Sequence, residues 1–213
     1  MSKFTEVTIV NKIQIANKVF VIEIKREFSF KPGQIIGITM SPKQNPRLYS
    51  ICSGNNEHNI SILFNIKDDG ELTPPLAAAN IGDKIWITKV QGKFIFNNKP
   101  SWWIATGTGI APFYSMFKSG QQPLKLIQGG RLKTDMYFSN VFKELSNYVR
   151  CCSQDKGDDI FEGRLTKYIG DLNNIPTNID YYLCGSTDMV VDIRKLLIKK
   201  GVGFNNIITE IYF

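Results

Sequence analysis

The segment Ala105-Thr-Gly-Thr-Gly-Ile-Ala-Pro-Phe113 has the residue types of a backbone cradle for phosphate. Gly107 and Gly109, flanked by Thr106 and Thr108, let the chain turn tightly and approach a pyrophosphate, and a helix starting near Pro112 would aim its amide hydrogens at it. Proline suits a first helical turn, where its missing N–H costs nothing. Pro112 also stands where the dinucleotide fingerprint has its third glycine, so spacing alone leaves a tight strand-to-helix turn and a phosphate site equally open. Cys184 ends an apolar run and precedes Gly185-Ser186-Thr187-Asp188-Met189. Its residue type alone favours a buried apolar thiol, whereas the run that follows favours a ligand site. Arg131 lies about 20 residues past the glycine loop, where sites for NAD commonly place a carboxylate on the ribose. An arginine there disfavours NAD and can accept a 2′-phosphate.

Metal chemistry finds no support. Cysteines at 52, 151, 152 and 184 fit neither paired metal ligands nor a disulfide framework, and read as reduced thiols. His58 reads as a solvated loop residue. Asp68-Asp69-Gly70 lacks the other ligands of a calcium loop and reads as a hairpin turn.

The elements that must position these residues change character midway. From Phe4 to about Phe96, short alternating or apolar runs are separated by Asn17-Lys18, Pro32-Gly33, Gly54-Asn55-Asn56, Asp68-Asp69-Gly70 and Gly82-Asp83, the spacing of a small antiparallel barrel or sandwich. From Trp102 onward the pattern is strand, glycine-rich turn, helix. Strands are predicted at Trp102–Ala105, Leu124–Gln128, Tyr148–Cys152 and Tyr181–Cys184, with helices at Pro112–Lys118, Asn140–Leu145 and Asp188–Lys199. That alternation predicts a parallel sheet with ligands beyond the carboxyl ends of its strands. The expected fold is therefore β followed by α/β, with domains over 1–97 and 98–213.

Apolar runs such as Ile35–Met40 are strand-length, so no membrane span is expected, and Met1–Glu6 lacks the features of a secretory signal. A cytoplasmic monomer is expected. Twenty-six Lys and Arg against nineteen Asp and Glu give a formal charge of +7, which favours an acidic partner or a polyphosphate ligand. The basic residues are spread along the chain rather than gathered in a stripe, which argues against nucleic acid.

Arg47-Leu-Tyr-Ser50, read together with the glycine loop, resembles the ferredoxin-NADP reductase family, whose members carry an RxYS motif for FAD in an N-terminal barrel and a GTGIAP-like loop for the nicotinamide cofactor. Pro32-Gly33-Gln34, Gly70-Glu-Leu-Thr73, Cys184 to Met189 and Glu210-Ile-Tyr-Phe213 extend the resemblance over nearly the whole chain. Asp69-Gly-Glu-Leu-Thr-Pro74 is similar to the short bacterial-type reductases.

The resemblance implies roles. Arg47 would pair with the FAD pyrophosphate, Tyr49 would stack on the isoalloxazine, Ser50 would hydrogen-bond near flavin N5, and Thr73 would hold a phosphate oxygen. Leu48, Ile51, Gly70 and Leu72 would line the same cofactor. Cys184 would lie where nicotinamide and flavin meet, with Gly185 permitting close approach and Ser186, Asp188 and Met189 beside it. Glu210 and Tyr212 match a C-terminal ExY element, and Phe213 would cover the cofactor. Without the family, Ile208, Ile211 and Phe213 read as the apolar face of a last strand.

In bacterial-type reductases a Ser-Arg pair and a Gly-Arg step add 2′-phosphate contacts. This chain has Ser153-Gln154 and Gly163-Arg164, so one cation is absent, a loss of about 1.5–3 kcal/mol. The implied activity is hydride exchange between NADP(H) and FAD, with single electrons exchanged with ferredoxin or flavodoxin. Alternatives are the reductase component of an oxygenase or other complex, a free-flavin reductase, or a non-catalytic flavin-binding scaffold.

Overall fold

A computed structural model describes residues 4–212. The chain forms two compact units, one of residues up to Phe96 together with Ala111–Gln121, the other of Asn97–Ile110 and Gln122 onward.

The first unit is an antiparallel sheet of β1 (Thr5–Ala16), β2 (Val19–Lys25), β3 (Ile35–Thr39), β4 (Arg47–Ser50), β5 (Asn59–Asn65) and β6 (Lys84–Ile87). The order is β4-β3-β6-β1-β2-β5. β1 turns the corner: Thr5–Thr8 pair with β6, Ile9 onward pairs with β2, and register shifts fall at Ile9/Asn11 and Gln14/Ala16. Such bulges bend a strand and raise its twist. The two edges then meet, because Ile51 bridges Ile62 and the Cys52 N–H donates to the Ser61 carbonyl at 2.8 Å. The predicted barrel is thus observed, filled largely by isoleucines such as Ile9, Ile22, Ile36, Ile38 and Ile62. β-branched side chains suit a pleated wall packed on one face.

The short helix α1 (Thr73–Ala78) joins the core through Leu76. Asp68-Asp69-Gly70, expected to be a hairpin turn, instead carries β5 into α1, since prolines 74 and 75 preset the first helical turn rather than a return strand. Helix α2 (Ala111–Lys118) also packs in this unit. Phe113 meets Phe94 edge-on at 5.6 Å, and the Ser115 hydroxyl donates to the Ser53 carbonyl at 2.7 Å.

The second unit is a parallel sheet of β7 (Ser101–Thr106), β8 (Lys125–Gly130), β9 (Tyr148–Cys152), β10 (Phe161–Glu162), β11 (Asp180–Ser186) and β12 (Ile207–Tyr212), ordered β10-β9-β8-β7-β11-β12. Its helices are α3 (Ser139–Phe142), α4 (Leu165–Asp171) and α5 (Thr187–Lys199). β11 is buried from Asp180 to Gly185, and its central Tyr181–Cys184 reads as an unbroken apolar run for that reason. The order reverses between β7 and β11, the switch point at which such sheets hold ligands.

Three expectations shift. The helix expected at Asn140–Leu145 is one turn, Ser139–Phe142. β8 runs on through Gly129 and Gly130, past the end expected at Gln128; a Cβ on Gly129 would lie 2.4 Å from Leu165 Cδ2, so this glycine lets α4 lie close to the sheet. α4 and β10 were not foreseen, being too short for their periodicity to register.

Ile62, 1% exposed where the barrel closes, gives the first test. Ile62→Ala is expected to lower stability by about 2–5 kcal/mol, read as a fall in the urea midpoint with unchanged slope.

Candidate functional site

The carboxyl ends of β7 and β11 touch through their backbones. Gly109 lies in a 3-10 turn after β7 (Gly107–Ile110), and a Cβ on it would come within 2.4 Å of the Cys184 carbonyl oxygen and 2.6 Å of the Gly185 nitrogen. A Cβ on Gly185 would in turn lie 2.3 Å from Thr106 Oγ1 and 2.7 Å from Met189 Cε. Gly107 is different: its φ is +54°, yet nothing lies within 4 Å of where a Cβ would be. There glycine serves the left-handed turn, and the space over the loop is open. Thr106 and Thr108 flank it half-buried, and Pro112 enters the first turn of α2, buried.

Cys184 sits fully buried between Ala105 and Glu210 in the parallel register, and Ser186 pairs with Tyr212. Strand alternation puts Cys184 and Ser186 on one face with Glu210 and Tyr212. Burial first, then the Glu210 carboxylate, push the Cys184 thiol well above the usual range, while a hydrogen bond from Tyr212 works the other way. The thiol is therefore neutral and no free nucleophile. Ser186 caps α5, its hydroxyl accepting from the Met189 N–H at 3.4 Å, and Asp188 places a negative charge in the first turn. Met189 is buried against Gly185.

A second group gathers at the carboxyl ends of β8, β9 and β10. The Gln154 N–H donates to the Arg131 carbonyl at 2.8 Å, the Ser153 N–H to the Gly130 carbonyl at 3.1 Å, and the Gly163 N–H to the Cys152 carbonyl at 2.7 Å. These bonds bring Arg131, Ser153 and Gln154 together and set Gly163-Arg164 next to them, all four named side chains exposed. Two carboxylates missed in the sequence shape the group. Asp135 accepts from the Arg131 and Leu132 N–H groups at 2.9 and 3.0 Å, and Asp155 from the Lys133 N–H at 2.5 Å. An aspartate three residues after Leu132 was the available signal. Asp159, held down to about 2 by Lys133 and then Arg150, binds both cations at the surface.

On the barrel, Arg47 and Leu48 are exposed, Ser50 is buried, and Tyr49 lies half-buried with its ring edge-on to Phe64 at 6.5 Å. Burial pushes the Tyr49 hydroxyl up to about 12. Ile51 is in the core. In the loop before α1, Gly70 donates to the Lys67 carbonyl at 2.9 Å, and the buried Thr73 hydroxyl accepts from the Lys67 N–H at 2.8 Å, with Leu72 buried beside it. Phe213 lies outside the described residues.

Residues 103–195 match the oxidoreductase NAD-binding domain family. The chain is 27% identical over 212 residues to a flavodoxin/ferredoxin-NADP reductase of Buchnera aphidicola, covering 85% of each. It is 24% identical over 215 residues to the toluate 1,2-dioxygenase electron transfer component of Pseudomonas putida, covering 92% of this chain but spanning only 64% of that protein. A ferredoxin NADP+ reductase from Neisseria gonorrhoeae, solved with bound FAD and NADP, shares the fold with a TM-score of 0.89 over the full length of both chains at 22% identity. The parallel-sheet unit, with a glycine loop at its switch point, has the arrangement of an oxidoreductase dinucleotide-binding domain. Over most of its length the chain is similar in sequence to flavodoxin/ferredoxin-NADP reductases, and it shares their fold.

Two tests follow from the switch point. Gly109→Ala forces the loop off β11, an overpacking cost of about 1–3 kcal/mol, and is expected to weaken dinucleotide binding about tenfold in a titration, with far-ultraviolet dichroism unchanged. The Cys184 thiol has its usual value of 9.0 in the unfolded chain and a far higher one when folded. Below pH 9 both states keep the proton; above it the unfolded state alone releases it, so stability falls by up to about 1.4 kcal/mol per pH unit from this thiol. Urea midpoints measured between pH 8 and 10 should drop, and less steeply in Cys184→Ala.

Proposed function

We propose that this protein is an FAD-dependent oxidoreductase that moves hydride between NADP(H) and FAD and passes single electrons between FAD and an acidic carrier, ferredoxin or flavodoxin. The observation that carries the reading is the neutral, buried Cys184, bounded by Glu210 and Tyr212 and seated against the glycine loop.

The residues fit the two cofactors. Open space at Gly107 leaves the loop amides accessible to a pyrophosphate, and exposed Leu48 and Arg47 beside half-buried Tyr49 offer apolar surface next to a cation. FAD supplies the step from two-electron to one-electron chemistry. The chain's own work is to hold and orient. Arg47 would clamp the FAD pyrophosphate with two parallel hydrogen bonds, with Thr73 holding a further phosphate oxygen. Tyr49 would stack on the flavin, and Ser50 would donate near N5. Thr106 to Gly109 would seat the dinucleotide, and Arg131, Ser153, Gln154 and Arg164 would take the 2′-phosphate. Tyr212 holds the thiol of Cys184 in place, and Glu210 would keep a charge beside it without taking part in covalent chemistry.

The carrier is supported by charge. The barrel unit bears thirteen Lys and Arg against eight Asp and Glu, and residues 28–56 hold three cations and no acid. Such a surface attracts an acidic protein at long range. Four free, buried cysteines suit a reducing compartment such as the cytoplasm, and among the described residues no helix is long and apolar enough to cross a membrane.

A second reading, the reductase component of an oxygenase, is favoured by the toluate relative, whose match covers 92% of this chain. No cluster of three or more metal-capable side chains occurs among the described residues, so an iron–sulfur acceptor would have to be supplied from elsewhere.

Purified protein is expected to take up FAD and to lose the flavin's visible absorption when mixed anaerobically with NADPH. Reduction of ferredoxin or flavodoxin should then slow as salt screens the attraction. Bound flavin that stays oxidised at saturating NADPH would sink the proposal.

A further inference from the structure

Two of the helices share a weakness. α1 has six residues with prolines 74 and 75 in its first turn, and α4 has seven with Gly170 inside it; neither has a basic residue in its last turn. Helices this short do not hold themselves together, and their last carbonyls lack partners within the helix. The longer α2 and α5 carry Lys118 and Lys199 in their own last turns.

In each of these two helices, α1 and α4, a lysine from a distant part of the chain supplies what is missing. Lys12, on the bulged part of β1, donates through Nζ to the Ala77 carbonyl at 2.7 Å and also to the Ala79 carbonyl. Lys200, just past α5, donates through Nζ to the Gly170 carbonyl at 3.0 Å and to the Leu172 carbonyl at 2.6 Å. Both are partly buried, which strengthens a charge-assisted bond and lessens its screening by salt. The positive charge also lies at the negative end of each helix.

The other ends of the same helices carry Thr73 and Arg164. Thr73 is the first residue of α1, and its hydroxyl is tied to Lys67. Arg164 immediately precedes α4, after Gly163, whose N–H is fixed to the end of β9. A short helix held at its carboxyl end transmits that position along one or two rigid turns to the residue at its start.

We propose that Lys12 and Lys200 are positioning residues, each clamping the carboxyl-terminal end of one short helix and so setting the phosphate-binding side chain at its start: Thr73 for FAD, Arg164 for the 2′-phosphate of NADP(H). This rests on the reading of the two cofactor sites given above. Neither lysine touches a cofactor. Their separate helices make the two effects separable, since Lys12 governs one ligand and Lys200 the other.

The test compares wild type with Lys12→Met and Lys200→Met, which keep the aliphatic stem and lose the charged donor. Apoprotein is titrated with FAD and with riboflavin by flavin fluorescence, and flavin-loaded protein with NADP+ and NAD+ by calorimetry, all well below the melting temperature of each variant. Lys12→Met is expected to weaken FAD about tenfold, leaving riboflavin and NADP+ unchanged. Lys200→Met is expected to weaken NADP+ by a similar factor, leaving NAD+ and FAD unchanged. Lys12→Arg and Lys200→Arg keep the donors, are the variants to measure if a methionine form does not fold, and should bind within about twofold of wild type.

Arginine forms as weak as the methionine forms would overturn the proposal, as would a variant that loses both of its paired ligands equally, which marks a merely structural lysine. Unchanged affinities in both variants, with wild type binding FAD and NADP+, overturn the proposal alone. Wild type that binds neither overturns the functional reading, and the proposal with it.

Discussion

The second unit depends on one close approach. Two parallel strands side by side in register, Ala105 next to Cys184, can continue into turns that touch only if neither turn carries a Cβ at the point of contact. Gly109 and Gly185 meet that condition from opposite sides: each would drive a methyl group into the backbone or hydroxyl of the other strand's end. The contact fixes the height of the glycine loop over the sheet, the entry of the chain into α5, and the burial of Cys184 beneath both. Ser186 and Asp188 then complete the helix start. A substitution at any of these positions is felt by the others because the space between them is already filled.

The barrel obeys a different constraint, closure. A six-stranded sheet meets its own edge only if some strands bend, and β1 bends at two irregularities while changing partners from β6 to β2. The single bridge at Ile51 and Ile62 follows directly after β4, so Arg47 to Ser50 lie on a strand paired to β3 on one side and anchored at its end on the other. A site built on such a strand is held more exactly in place than one built on a free loop.

What could be read from the amino acids tracks how local each signal is. The glycine loop, the cysteine run and Arg47-Leu-Tyr-Ser50 are contiguous, and the change from period two to strand-turn-helix is visible over long stretches. Contacts made across the fold are not. Gly129 falls just past the expected end of its strand, and nothing in its neighbours announces Leu165, whose side chain it accommodates. Asp68-Asp69-Gly70 has hairpin residues, and only prolines 74 and 75 hint that a helix follows. Asp135 and Asp155 shape the turn that carries Arg131, yet Asp155 lies more than twenty residues away in sequence from the N–H it accepts. Four- and seven-residue helices such as α3 and α4 give too few turns for a period to emerge, so their existence is decided by packing.

The choice of cysteine at 184 follows from the same crowding. The position is fully enclosed, lies next to a carboxylate, and accepts a hydrogen bond from Tyr212. A second carboxylate there would stand directly beside Glu210, and one of the pair would have to take up a proton. A serine would bring a hydroxyl that loses water and needs both a donor and an acceptor nearby. A thiol loses little on leaving water, is polarisable, and tolerates a single partner. Its raised pKa is then the natural result of burial and of Glu210, and it keeps the site free of a reactive anion.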